Sequence, residues 1–114
     1  MNTKEKVKIA YDALEEKKGE ELRILSVGEV TLVTDYFLIA TGNNPNQVRA
    51  MADEVEEKLG KAGCHGRIEG YRNAEWILMD YEDIIIQIFA RDARQFYDLE
   101  RIWRDANVIF SDEL

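Results

Sequence analysis

The chain has 114 residues, 46% of them hydrophobic and 33% charged, which suits one domain around one core and is too apolar for a disordered chain. Fifteen Lys and Arg against 23 Asp and Glu leave a net charge of −8, which argues against phosphate tracking on duplex nucleic acid and favours a basic partner. A single cysteine and a single histidine, Cys64 and His65, exclude a disulfide framework and a Cys/His zinc site within the chain and fit a reducing compartment.

The polar N-terminal stretch carries no apolar run behind it, so secretion and membrane spanning are not expected, and the cytoplasm is the expected location. Thr3 is placed to cap a first helix, whose apolar positions Val7, Ala10, Tyr11 and Leu14 recur at helical spacing. Lys17-Lys18-Gly19 supplies last-turn cations and a glycine stop. Leu22 to Val27 mixes apolar and polar residues as a half-buried strand does. Gly28 to Asp35 reads as a turn or irregular crossing, and Tyr36 to Ala40 is continuously apolar, as in a central strand covered on both faces.

Thr41 to Gln47 ends that strand and opens a second helix: Asn44 suits the cap, Pro45 the first helical position, and Gln47 the reach-back of a capping box. Val48, Met51, Ala52, Val55 and Leu59 form its apolar stripe, and Gly60 to Gly63 its end. A short strand is expected around Gly66 to Gly70. Trp76 to Asp80 and Ile84 to Phe89 are strand-like runs joined by Tyr81-Glu82-Asp83, a connection short enough to demand an antiparallel hairpin, with the second run central. Asp92 and Gln95 make another capping box, opening a helix with Phe96, Leu99, Ile102 and Trp103 inward. The tail from Asn107 carries no clear pattern. The order gives an α/β (α+β-like) domain spanning residues 1–114, a mixed sheet of about five strands flanked by helices.

Four places could carry function. Backbone amides at Gly42 to Gln47 could hold an anion, but the segment lacks a P-loop lysine and spaced dinucleotide glycines, and folding needs a capped strand-to-helix turn anyway. Glu75, Asp80, Glu82 and Asp83 could gather magnesium, although an Asp-rich tight turn is ordinary turn chemistry. Cys64 and His65, adjacent in an extended segment, point to opposite faces and make a poor nucleophile and base pair. The fourth is an aromatic and acidic surface: Trp76 and Tyr81 near Asp80 and Asp83, with Tyr71 and Tyr97 as further candidates. Tryptophan and tyrosine anchor interfaces, and acidic neighbours select a basic partner; the competing reading makes Trp76 a core residue. Alternation along the strand puts Trp76, Leu78 and Asp80 on one face, and Ile77, Met79 and Tyr81 on the other.

The run Thr34-Asp35-Tyr36-Phe37-Leu38-Ile39-Ala40-Thr41-Gly42 is followed by Gln47-Val48, then by Ala50 to Ala52 leading into Asp53-Glu54-Val55-Glu56-Glu57. Gly70, Glu75 to Tyr81 and Phe96 to Trp103 complete the pattern. Taken in this order and spacing over nearly the whole chain, these segments resemble the Iojap-like ribosome silencing factors. Where that family often has histidines and a proline near the last strand-to-helix junction, this chain has Gln87 and Ala90-Arg91-Asp92-Ala93.

The resemblance implies a mixed sheet related to the nucleotidyltransferase fold without its catalytic Asp-x-Asp, and a function that is not enzymatic and uses no cofactor or metal. It implies binding to the large ribosomal subunit through ribosomal protein number fourteen, blocking subunit joining and so repressing translation, with no direct nucleic-acid contact required. On that view Trp76 is the anchor, with Asp80, Tyr81 and Asp83 around it and Glu75 at the rim. Two alternatives remain: a small nucleotidyltransferase-type enzyme using Gly42 to Asn44 for a triphosphate and Asp80 with Asp83 for magnesium, and a homodimeric scaffold that buries the aromatic face against its own copy.

Overall fold

The first helix, α1 (Thr3–Glu16), is capped one residue ahead of the expected position. The Asn2 side chain accepts from the Glu5 amide at 2.8 Å, and the Thr3 hydroxyl is spent instead on Asp83, 2.8 Å away. The computed structural model describes residues 2–28 and 34–93, and the backbone of 107–109. At the end of α1 the expected glycine stop is shifted. Lys18 takes the left-handed conformation (φ 63°), while the Gly19 amide donates back to the Leu14 carbonyl, closing the last turn. A Cβ on Gly19 would fall 2.7 Å from Cε of Met51, a flexible side-chain end that can move aside, and 3.0 Å from the Leu14 carbonyl oxygen, so the space here is tight.

Strand β1 (Glu20–Ser26) starts two residues earlier than the apolar pattern suggested, with a register irregularity between Glu20 and Arg23 and Glu21 at φ 51°. Strand β2 (Tyr36–Gly42) leads into helix α2 (Pro45–Lys61). Its cap forms as the sequence expects: Oδ1 of Asn44 accepts from the Gln47 amide at 2.9 Å. Oε1 of Gln47 reaches one residue further back than in a standard box, accepting from the Asn43 amide at 2.6 Å. Nε2 of Gln47 donates to the carbonyls of Lys17 and Lys18, tying the end of α1 to the start of α2. Gly63 (φ 85°) then terminates α2, with the Cys64 amide donating to the Leu59 carbonyl at 2.8 Å.

Strands β3 (Arg67–Glu69), β4 (Trp76–Asp80) and β5 (Ile84–Ala90) follow, and β4 and β5 form the expected antiparallel hairpin over the two-residue loop Glu82-Asp83. The sheet is mixed, in the order β3-β4-β5-β2-β1-β6. β2 and β5 run parallel at its centre and the other described ladders are antiparallel. The sixth strand, β6 (Asn107–Ile109), comes from the tail that carried no pattern; at three residues it is too short for periodicity to declare itself, and it forms only by pairing with β1. The helix expected from Asp92 lies outside the described residues beyond its first turn, residues 91–93 being helical. Its inward set Phe96, Leu99, Ile102 and Trp103, together with Gln95 and Tyr97, is therefore not placed.

Helices α1 and α2 lie on one face of the sheet. Val7, Ala10 and Leu14 of α1 and Val48, Met51, Ala52, Val55 and Leu59 of α2 pack there against Ile24, Leu38, Ile77, Met79, Ile84, Ile86 and Ile88. Each fully buried aliphatic side chain in this layer contributes roughly 1.5–3 kcal/mol relative to exposure. The opposite face holds a second cluster, Leu25, Val27, Phe37, Ile39, Ile85 and Phe89, with Trp76, Leu78 and Ala93 of the helical turn after β5 packed against it. No helix among the described residues is long and apolar enough to cross a membrane.

Candidate interaction face

The approach to β4 is held by the neighbouring helix. Gly70 (φ 82°) turns the chain out of β3, and a Cβ there would sit 2.2 Å from the Trp76 carbonyl oxygen, so only glycine fits. Arg49 of α2 clamps the loop that follows, donating to the backbone carbonyls of Tyr71 and Arg72. The exposed Tyr71 phenol donates to Oδ2 of Asp53 at 3.1 Å, and that bond to an anionic acceptor raises its pKa above the ordinary value.

The loop delivers Trp76 to the sheet face opposite α1 and α2. Its ring stacks on Phe89, the directly paired residue of β5, with centroids 5.3 Å apart and planes 19° from parallel. The indole Nε1–H donates to Oε1 of Gln87 at 3.1 Å. Trp76 is half-buried in this position, between the core and surface readings. Asp80 lies on the same face, as strand alternation requires. Its Oδ2 accepts from Arg67 at 3.2 Å and its Oδ1 from the Glu82 amide at 2.9 Å. Glu75 is exposed just ahead of β4, where its carbonyl accepts from the Ala90 amide.

Tyr81 and Asp83 do not share that face. Tyr81 is 5% exposed and packs in the helix-side core, as its position one residue past Asp80 dictates. Burial, then the Glu56 charge, then Cys64 push its phenol up to about 12. Asp83 turns toward α1, where Oδ2 accepts from the Thr3 hydroxyl and Oδ1 from Nζ of Lys6 at 3.1 Å.

The Gly42 to Gln47 turn sits at the other end of the sheet. Asn43 and Glu20 both accept from the Arg91 guanidinium there, and Asn43, Asn44, Pro45, Glu75, Ala90 and Arg91 line a crevice of about 480 Å³. Gly42 pairs with Ala90 at the end of β5, whereas Asp83 precedes Ile84 at its start. At about 3.3 Å per residue the whole strand, roughly 20 Å, separates the supposed triphosphate turn from the supposed magnesium carboxylates. Those residues therefore do not form one site. Among the described residues no group of three or more His, Cys, Asp or Glu is placed to hold a metal ion. Cys64 is half-buried against the end of α2 while His65 is exposed.

Sequence reasoning passed over two residues that build this face, Gln87 and Arg49. An isolated amide in the run Ile84 to Phe89 is a signal for the first; nothing local marks the second as a loop clamp, because the carbonyls it clamps are more than twenty residues away.

The fold and face describe a small α/β module with a half-buried tryptophan on the sheet face opposite α1 and α2. The family model for the ribosomal silencing factor during starvation matches residues 1–114. The chain is 36% identical over 110 residues to the ribosomal silencing factor RsfS of Halalkalibacterium halodurans, covering 96% of this chain and 94% of that protein. A crystal structure of a Chromobacterium violaceum protein superposes with a TM-score of 0.88 at 34% identity, covering 90% of this chain and 87% of that one. A mouse protein named for mitochondrial assembly of the ribosomal large subunit is 23% identical over 94 residues, 79% of this chain and 41% of its own length. The chain belongs to the ribosomal silencing factor family.

Proposed function

We propose that the protein represses translation in the cytoplasm by binding the large ribosomal subunit through ribosomal protein number fourteen and excluding the small subunit from the same surface. Family membership supports the silencing role, and the name of the mouse relative supports a large-subunit partner. The observation that carries the contact is Trp76, held on the sheet face opposite α1 and α2 by Phe89 and Gln87, with Asp80 and Glu75 beyond it on either side along the chain. A half-buried tryptophan is a strong anchor, and the flanking carboxylates and the net charge of −8 suit a basic ribosomal protein while repelling rRNA phosphate. Tyr81 serves as buried support for β4, and Asp83 fixes the hairpin against α1.

The mechanism needs occupancy and no chemical step. A folded body of 13.2 kDa seated on an interface denies it to a competitor by volume, so affinity and position suffice. Co-sedimentation with isolated subunits tests this. The parent protein is expected to pellet with the large subunit alone and to suppress subunit joining in a gradient, and Trp76→Ala is expected to weaken binding at least tenfold while remaining folded. Unchanged binding by a folded Trp76→Ala protein would refute the assigned contact, and pelleting with neither subunit would refute the partner.

A further inference from the structure

Gln87 is 4% exposed in the middle of β5, between Ile39 of β2 and Leu78 of β4 in the sheet register, on a strand otherwise made of Ile84, Ile85, Ile86, Ile88 and Phe89. A primary amide at such a position loses its water and needs a protein partner in exchange, and an aliphatic side chain would satisfy the sheet at least as well. Its Oε1 accepts the indole N–H of Trp76, the diagonal neighbour across the ladder, at 3.1 Å. Stacking on Phe89 restrains the plane of the indole but not which edge points inward, because rotating the ring by half a turn preserves the stack. The hydrogen bond removes that ambiguity, since an indole has a single N–H and only one orientation delivers it to Gln87.

We infer that Gln87 is a positioning residue for the partner contact: it locks Trp76 in one orientation, so that the anchor is set before the partner arrives. This rests on the reading of Trp76 as the anchor. Preorganisation of this kind raises affinity by removing an ordering cost from the binding step. A residue buried beneath the contact thereby acts on affinity through the tryptophan rather than by touching the partner.

The test uses the full chain labelled with 15N at its tryptophan indoles, the Trp76 signal being distinguished from that of Trp103 with Trp76→Phe. Gln87→Leu removes the acceptor at similar volume, and Gln87→Met is made in parallel so that one poorly folded variant does not decide the result. Gln87→His at pH 8 restores a neutral nitrogen acceptor. The apolar variants are expected to keep their thermal midpoint within a few degrees, to move the Trp76 indole proton upfield, and to weaken large-subunit binding about fivefold, in line with the loss of one hydrogen bond. Gln87→His is expected to recover both the resonance and the binding. A stationary indole resonance in the apolar variants overturns the inference. So does unchanged binding by them when Trp76→Ala abolishes it, a result that leaves the anchor standing. If Trp76→Ala itself binds as the parent does, the anchor falls and the positioning role falls with it.

Discussion

The two faces of the sheet come from the same strands but are built by different rules. Toward the helices, Leu38, Ile77, Met79, Ile84, Ile86 and Ile88 are all fully buried, and they meet the apolar stripes of α1 and α2. Such packing is non-directional: shape and volume decide it, and exchange among aliphatic residues is tolerated. On the other face, Phe37, Ile39, Ile85 and Phe89 are interleaved with Thr41, Gln87, Trp76 and Asp80, by the registers of β2, β4 and β5. Here the indole of Trp76 and the carboxylate of Asp80 are fixed by bonds with direction. The helix side supplies stability, and the far side spends some of it on orientation.

The contrast can be attacked from its strong side first. Ile86→Ala, at the centre of the helix-covered layer, is expected to lower unfolding free energy by about 3–4 kcal/mol in urea titration, with little change in large-subunit affinity once the folded fraction is corrected for. Gly70→Ala, which drives a Cβ into the Trp76 carbonyl from a left-handed backbone, is expected to cost about 2–3 kcal/mol and, unlike the first change, to weaken binding because it displaces β4. Equal binding losses in the two variants would erase the division of labour between the faces.

Smaller changes sharpen the boundary between them. Asp83→Asn removes the Lys6 ion pair and weakens the Thr3 contact that fasten α1 to the hairpin; about 1 kcal/mol should be lost, less at high salt. The Tyr81 phenol adds a pH signature. Its folded-state pKa, about 12, lies above the ordinary value of 10, so between those values the unfolded chain releases the proton while the folded protein keeps it. Stability from this group is complete below pH 10 and declines as pH rises through that window. Tyr81→Phe should show a shallower alkaline decline in urea midpoint than the parent, and parallel declines would dissociate the tyrosine from the effect.

Much of the helix-covered face was legible in the sequence because it obeys short-range periodicity. The Asn44 cap with Pro45, the stripe from Val48 to Leu59 and the β4–β5 hairpin all follow from neighbours within a few residues. Elements defined by distant partners were not legible. Thr3 reads locally as a cap, yet its hydroxyl belongs to Asp83; β6 exists through β1; and the Gln47 amide tethers the end of α1. For the candidate face, alternation placed Trp76 and Asp80 together and Tyr81 apart. The Asp83 side chain could go either way from a turn, and only α1 decides its direction. The bond from Trp76 to Gln87 depends on the register of β4 against β5, which the sequence of the short connection leaves open by one step, enough to reverse every side chain.

The parallel pairing of β2 with β5 also governs how the molecule comes into being. Tyr36 to Gly42 finds its central partner only in Ile84 to Ala90, with all of α2, β3 and β4 lying between them in the chain. During synthesis β1 and β2 therefore emerge with the β2 edge unsatisfied until β5 follows and the β1 edge until β6 does, and no N-terminal portion that stops short of Ala90 can complete the centre of the sheet. Closing so long a loop costs chain entropy before the contacts repay it, and the strand that holds Gln87 is the one that joins β3 and β4 to β2 and β1.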